Sequence, residues 1–93
     1  MEYNERGKIS EKTLDFNRAR QSLVEELQAI MWYDERADAT SDKELKAVLA
    51  HNRDDEKEHA TLLLEWLRRN DKALDKKLNE IVFKPGDLSK LWD

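Results

Sequence analysis

The 93-residue chain has no cysteine, only one proline and only two glycines. The lack of cysteine excludes disulfides and thiolate-bound metals, so any metal ligands must be carboxylates or imidazoles. The scarcity of glycine and proline argues against a sheet, which needs many turns. No apolar run approaches the roughly 18 residues of a membrane span, and no signal peptide is visible. The formal net charge of −4, with no basic face, predicts that nucleic acid is not a partner.

Charged residues make up 41% and hydrophobic residues 39% of the chain, a balance that favours long amphipathic helices. A chain this short has room for one domain. We predict an all-α fold, in which an antiparallel two-helix hairpin is followed by a short C-terminal helix. The predicted segments are a flexible arm at 1–9, helices at 10–38, 42–69 and 72–83, and a tail at 84–93.

Local signals set these boundaries. Ser10 is a plausible N-cap for the first helix, and Asp71 for the third. Ser41 and Glu44 fit a capping box, in which each side chain bonds the other residue's amide at the start of the second helix. Pro85 and Gly86 stop the third helix.

The second helix carries Glu56 and His59 three residues apart, on a stripe that otherwise holds mainly apolar residues. Ionisable groups on such a stripe are costly unless they are paired or bound to a metal. Glu-x-x-His projecting inward from a helix is half of the ligand set of a ferritin-like di-iron bundle. Glu26, bracketed by Leu23 and Ile30, occupies the matching stripe of the first helix.

Counted from a turn at Thr40, Glu26, Glu56 and His59 lie at depths of roughly 21, 24 and 28 Å. An antiparallel hairpin would therefore bring the three side chains together. One chain supplies one Glu and one Glu-x-x-His, whereas a di-iron bundle needs two of each. We predict that two chains pair around a two-fold axis into a four-helix bundle, with the metal site at their interface.

Simpler interpretations stay open. Glu56 and His59 can be a solvated pair on a charged helix, and the chain can be a non-enzymatic helical assembly module or a purely structural metal-binding protein. Tyr33 is either a core aromatic or a hydrogen-bond donor to a ligand carboxylate, and Trp32 is a packing or interface residue. Further side chains are expected to lie on the surface: a His51–Asp55 pair, Asp54 and Glu58.

Several segments between Val24 and Asp71 resemble the encapsulated ferritins, short ferritin-like cargo proteins of encapsulin nanocompartments. The matching segments are Glu25-Glu26-Leu27, Trp32-Tyr33-Asp34, Leu49-Ala50-His51-Asn52-Arg53-Asp54, Glu56-Lys57-Glu58-His59-Ala60 and Leu64-Glu65-Trp66-Leu67-Arg68-Arg69-Asn70-Asp71. Motifs of this density are far more specific than a single Glu-x-x-His.

The resemblance implies a ferroxidase that oxidises Fe(II) with dioxygen at a di-iron centre between two subunits. Its ligands would be Glu26, Glu56 and His59 of both chains, two irons would be held per subunit pair, and other divalent cations could substitute. It also implies a ring-shaped decamer of dimeric units and a cytoplasmic location inside an encapsulin shell, where the iron mineral accumulates.

Two positions depart from the family pattern. The family's metal-entry site would map onto Glu25 and position 28, but Gln28 stands at the second position, so the site loses a carboxylate. The C-terminal Ser89-Lys90-Leu91-Trp92-Asp93 does not resemble the family's shell-docking peptide. We expect either a truncated chain or a different mode of targeting.

Overall fold

The structure is a computed structural model, and it describes residues 6–92. Over that range three α-helices follow one another, α1 (Glu11–Ala39), α2 (Lys43–Asn70) and α3 (Lys72–Ile81), and there is no strand. Single 3₁₀ turns occupy Arg6–Lys8 and Leu88–Lys90. The predicted all-α fold class is confirmed.

The boundaries of α1 and α2 reflect local capping. Ser10 is the N-cap of α1, where its hydroxyl accepts a hydrogen bond from the Thr13 amide. The predicted Ser41 capping box is wrong, because Asp42 caps α2 and accepts from the Leu45 amide at 2.8 Å. Aspartate caps as well as serine does, and its negative charge also favours the positive end of the helix dipole.

Helices α1 and α2 form an antiparallel hairpin. Contacts between them join Asp34 to Arg53, Glu26 to His59, and Phe16 to Trp66, so that residue numbers fall along α1 as they rise along α2. The three-residue connection between the helices is typical of antiparallel neighbours.

Helix α3 leaves α2 without a loop, because Asp71 is both the C-cap of α2 and the N-cap of α3. It ends at Ile81, two residues before the predicted boundary, and Phe83 adopts a positive φ of 63°. Pro85 explains the early end, since it lacks the amide that would bond to the Ile81 carbonyl and disfavours helical geometry at Lys84.

The two ends of the chain differ from the expected arm and tail. Arg6–Lys8 forms a 3₁₀ turn within the predicted flexible arm, whose first five residues lie outside the described range. In the tail, Asp87 caps a second 3₁₀ turn at Leu88–Lys90. The tail is therefore partly ordered by local hydrogen bonds.

A single chain encloses very little core. Among the described residues only Ala37, Ala60 and Leu67 are buried apolar residues. The radius of gyration is 17.5 Å, against about 12 Å for a compact domain of this length. The small number of buried residues and the large radius of gyration both describe an extended hairpin, whose apolar stripes remain largely accessible to solvent.

Candidate metal centre

Three side chains meet near the middle of the hairpin. Glu26 projects from α1 between the half-buried residues Leu23 and Ile30, while Glu56 and His59 project from α2 one helical turn apart. Their register is set by the antiparallel pairing and by the short connection. The predicted convergence of the three residues at one depth of the hairpin is therefore confirmed.

The distances between the three groups are short enough for one cation to touch them all. The His59 Nδ1 atom lies 3.3 Å from a carboxylate oxygen of Glu56 and 3.8 Å from one of Glu26. One ligand atom from each residue lies within 4.8 Å of the others, and within the described range this is the group of acidic and imidazole side chains close enough to hold a metal.

The donor set is one that suits iron. Two carboxylates and one imidazole provide hard oxygen ligands and one nitrogen, a combination that also accepts manganese or zinc. Neither carboxylate has a lysine or arginine within ion-pair distance among residues 6–92, since each pairs only with His59. Because no lysine or arginine occupies the space beside the two carboxylates, the cluster can accept a cation.

The cluster is sheltered on one side only. The Glu26 and Glu56 side chains are 26% and 22% exposed, whereas His59 is 52% exposed. Three protein ligands on an open face leave the remaining coordination positions to solvent or to another chain. The hairpin thus presents a half-enclosed site.

The other predicted residues lie outside the three-residue cluster. Glu25 is exposed and accepts a hydrogen bond from Gln21, and Gln28 is also exposed. Tyr33 is half-buried two turns beyond Glu26, and Trp32 is exposed. Their roles at the metal centre stay predictions.

The surface carboxylates behave as ordinary ion-pair partners. His51 pairs with Asp55 across one helical turn at 3.4 Å, as the sequence predicted. Asp54 accepts hydrogen bonds from Arg53 and Lys57, and these cations lower the pKa of its carboxyl group.

Two ion-pair clusters were missed by the sequence analysis. Arg53 also bonds to Asp34 across the hairpin at 2.9 Å, a contact that only the register of the two helices could have revealed. Arg68 bonds to both Glu65 and Asp75 at 2.6–2.7 Å and thereby ties α3 to α2. The Glu65–Arg68 half of that cluster was visible as an i,i+3 pair.

Within residues 6–92, no helix is both long and apolar enough to cross a bilayer. This finding agrees with the composition of the two long helices, in which charged residues are spread along the whole length.

Curated relatives share much of this sequence. The chain is 51% identical over 81 residues to the encapsulated ferritin-like protein of Rhodospirillum rubrum, covering 87% of this chain and 58% of that protein. It is 46% identical over 77 residues to a ferritin-like protein of Thermotoga maritima, covering 83% and 68%. A third relative, the encapsulin nanocompartment cargo protein EncC of Myxococcus xanthus, is 42% identical over 52 residues, covering 56% and 40%. The chain thus spans little more than half the length of the first of these relatives.

The fold is also that of a solved structure. The crystal structure of protein ne0167 from Nitrosomonas europaea has a TM-score of 0.85 and 51% sequence identity, covering 94% of this chain and 97% of that one. The family model EncFtn-like matches residues 1–85. Together with the sequence identities, this match shows that the chain belongs to the EncFtn-like family and confirms the resemblance to the encapsulated ferritins.

Proposed function

We propose that the protein is a ferroxidase, which oxidises Fe(II) to Fe(III) with dioxygen at a di-iron centre formed between two subunits. The observation that carries this proposal is the convergence of Glu26, Glu56 and His59 without a neutralising lysine or arginine. Membership of a family with ferritin-like relatives supports iron as the metal.

The second subunit completes the ligand set. One hairpin contributes two carboxylates and one imidazole on an open face, which is half of what a ferritin-like di-iron bundle requires. A two-fold axis beside His59 would bring the same three groups from a second hairpin. The apolar stripes that a lone hairpin leaves accessible would then be covered, so burial favours the same arrangement.

Each ligand has a distinct role in this proposal. Glu56 would bridge the two iron sites, because its symmetry mate would face it across the axis. Glu26 and His59 would be terminal ligands, with Tyr33 and Trp32 around them. Anionic oxygen ligands would favour the ferric state. Two bound ferrous ions would each give up one electron, and dioxygen would take up these two electrons with two protons from solvent and leave as hydrogen peroxide. The protein holds the ligands in place and limits access by water.

Iron would reach and leave the centre along the acidic surface. Glu25 would be a weak entry site, because Gln28 supplies no second carboxylate. In this proposal the dimers form a ring-shaped decamer within an encapsulin shell, and the oxidised iron mineralises in the shell. The names of the relatives from Rhodospirillum rubrum and Myxococcus xanthus, which refer to encapsulation and to encapsulin cargo, support that partner.

The decisive experiment measures iron binding and oxidation by the purified chain. We expect about one ferrous ion per chain under anaerobic conditions, and faster oxidation in air than in buffer alone. Glu56→Gln should lower the oxidation rate at least about 100-fold, since even substitution of groups behind the ligands typically costs 10- to 100-fold. Asp55→Asn is the matched control, because it removes the neighbouring carboxylate that pairs with His51 on the surface.

Other results would select another function. Stoichiometric iron without oxidation would indicate a structural metal site. If the wild-type chain neither binds nor oxidises iron while it still self-associates, the chain is an assembly module. Equal loss of activity in Asp55→Asn and Glu56→Gln would contradict the assigned ligand set.

A further inference from the structure

The helix that carries Glu56 also carries an arginine close to it. Arg53 lies three residues before Glu56 on α2, and residues at this spacing lie on the same side of a helix. A base and an acid with the same order and spacing do pair elsewhere in this chain, since the Lys77 Nζ atom lies 3.3 Å from Glu80 on α3. The side chain of arginine reaches at least as far as that of lysine. Arg53 is therefore within reach of the Glu56 carboxylate.

The structure holds the Arg53 guanidinium group elsewhere. Its Nη1 atom donates to Asp34 Oδ1 at 2.9 Å, across the hairpin, and its Nε atom donates to Asp54 Oδ1 at 3.1 Å. Within residues 6–92 the ion-pair partner of Glu56 is His59. Two aspartates, one on each helix of the hairpin, thus bind the arginine that is spaced to pair with Glu56.

Asp54 also binds a second cation that flanks Glu56 in the sequence. The Lys57 Nζ atom donates to the same Asp54 oxygen at 3.1 Å. Lys57 directly follows Glu56, and adjacent residues do not face each other on a helix. Lys57 therefore has the same charge and one of the same partners as Arg53, but it is not spaced to pair with Glu56.

A guanidinium group on Glu56 would compete with a metal ion for the carboxylate. It is permanently charged, it has no lone pair to give to a metal, and it binds carboxylate oxygens in a fixed geometry. The Arg53 and Glu56 side chains are only 27% and 22% exposed, so water would screen a contact between them less than on an open surface. A metal ion would have to displace such a guanidinium before it could bind.

We propose that Asp34 and Asp54 are positioning residues for the candidate metal centre, which hold the guanidinium group of Arg53 away from Glu56 and so leave that carboxylate free to bind iron. This inference rests on the proposed function for the identity of the metal. The two aspartates act through Arg53 and do not themselves bind the metal. They explain why no arginine lies within ion-pair distance of Glu56, although one is spaced to reach it.

The first test is calorimetric titration of the full chain with ferrous iron under anaerobic conditions. The double variant Asp34→Asn/Asp54→Asn should bind iron about fivefold more weakly than wild type, the factor by which a favourable surface ion pair competes. Asp38→Asn/Asp55→Asn is the matched control. It removes the same charge from the same two helices, but neither aspartate bonds to Arg53, so its affinity should be that of wild type.

A third substitution separates the position of Arg53 from its charge. Adding Arg53→Gln to Asp34→Asn/Asp54→Asn should restore the wild-type affinity, because no guanidinium is left to occupy Glu56. Adding Lys57→Gln removes an equal charge from the side chain that is not spaced to pair with Glu56, and it should not restore the affinity. Circular dichroism checks that each variant keeps its helices.

The second test needs no metal. In a metal-free crystal structure of Asp34→Asn/Asp54→Asn, we expect the Arg53 guanidinium to lie within about 3 Å of a Glu56 carboxylate oxygen. An Arg53 side chain that stays away from Glu56 would overturn the proposal, as would an unchanged iron affinity in this variant. Equal restoration by Lys57→Gln and Arg53→Gln would show an effect of net charge only. If the wild-type chain binds no iron, the ferroxidase proposal fails, whereas the metal-free structure still shows whether the aspartates keep Arg53 from Glu56.

Discussion

Two clusters on α2 share one pattern but differ in their central residue. Glu56-x-x-His59 meets a carboxylate from α1, Glu26, whereas Glu65-x-x-Arg68 meets a carboxylate from α3, Asp75. We call the cluster of Glu65, Arg68 and Asp75 the Arg68 clamp, and its nitrogen–oxygen distances are 2.6–2.7 Å. At the candidate metal centre they are 3.3 and 3.8 Å.

The difference lies in where the positive charge comes from. At the clamp the guanidinium carries a permanent charge and fills the space between the two carboxylates. Arg68 and Arg69 together lower the pKa of Glu65 to about 2. At the candidate metal centre an imidazole nitrogen can instead donate a lone pair to a metal ion, so that a bound cation can supply the positive charge. In the clamp the protein's own guanidinium neutralises the carboxylates, whereas the carboxylates of the candidate metal centre can bind a cation from solution.

The largest expected effect comes from placing a guanidinium in the candidate metal centre, as Arg68 does in the clamp. His59→Arg would place a guanidinium between Glu26 and Glu56 and exclude iron. We expect ferroxidase activity to fall at least about 100-fold, because a ligand is lost and its site is filled. The fold should persist, with a thermal midpoint within about 8 °C of wild type, since a partly exposed ion pair contributes at most about 1 kcal/mol.

Calorimetric iron titration and thermal unfolding measure the two expectations for His59→Arg. His59→Gln is the control, because it removes the ligand without adding a charge and should lose iron while the two carboxylates keep repelling each other. Retained oxidation in His59→Arg would show that the iron site does not lie between these groups.

The reverse exchange, in which histidine replaces the arginine of the clamp, is expected to have a smaller effect. Arg68→His would convert the clamp into two carboxylates and one imidazole, with the spacing of the metal centre. We expect α3 to detach from α2 in chelator and to be held again when zinc is added, with a zinc affinity below that of the metal centre. Hydrogen exchange of the α3 amides reports both states. Arg68→Gln is the matched control and should not respond to zinc.

A zinc response in Arg68→Gln equal to that in Arg68→His would contradict this comparison. It would mean that zinc binds elsewhere on α3 and that the imidazole at position 68 is not a zinc ligand.

The sequence allowed prediction of the cluster of Glu26, Glu56 and His59 because its geometry follows from helix periodicity alone. Residue counts from Thr40 placed Glu26, Glu56 and His59 at one depth, and the hairpin has them there. The same periodicity predicted three helices but not the cap of α2, because Ser41 and Asp42 are neighbours with nearly equal capping strength. The choice between them depends on backbone angles that no spacing reveals.

The clamp could be predicted only in part. Glu65 and Arg68 are an evident i,i+3 pair, but Asp75 joins them only because Asp71 turns the chain sharply between α2 and α3. The early end of α3 was missed for a similar reason. Its apolar spacing continues to Phe83. The helix nevertheless ends earlier, because Pro85 has no N–H to donate to the helix backbone.

The smallest expected effect is that of acid on the clamp. The pKa of Glu65 falls from its ordinary value of 4.5 to about 2, first because of its hydrogen bonds from Arg68 and then because of those from Arg69. A carboxyl group whose pKa is lowered by folding stabilises the fold fully above its unfolded pKa, and this contribution is lost as the pH falls towards the folded pKa. The clamp should therefore stay intact from neutral pH to about 4.5 and open progressively between there and about 2. Carboxyl-carbon NMR shifts of Glu65 measure this titration directly. In Arg68→Gln the midpoint should move up towards the ordinary value, and a Glu65 midpoint that is the same in both proteins would show that the guanidinium does not hold α3 in solution.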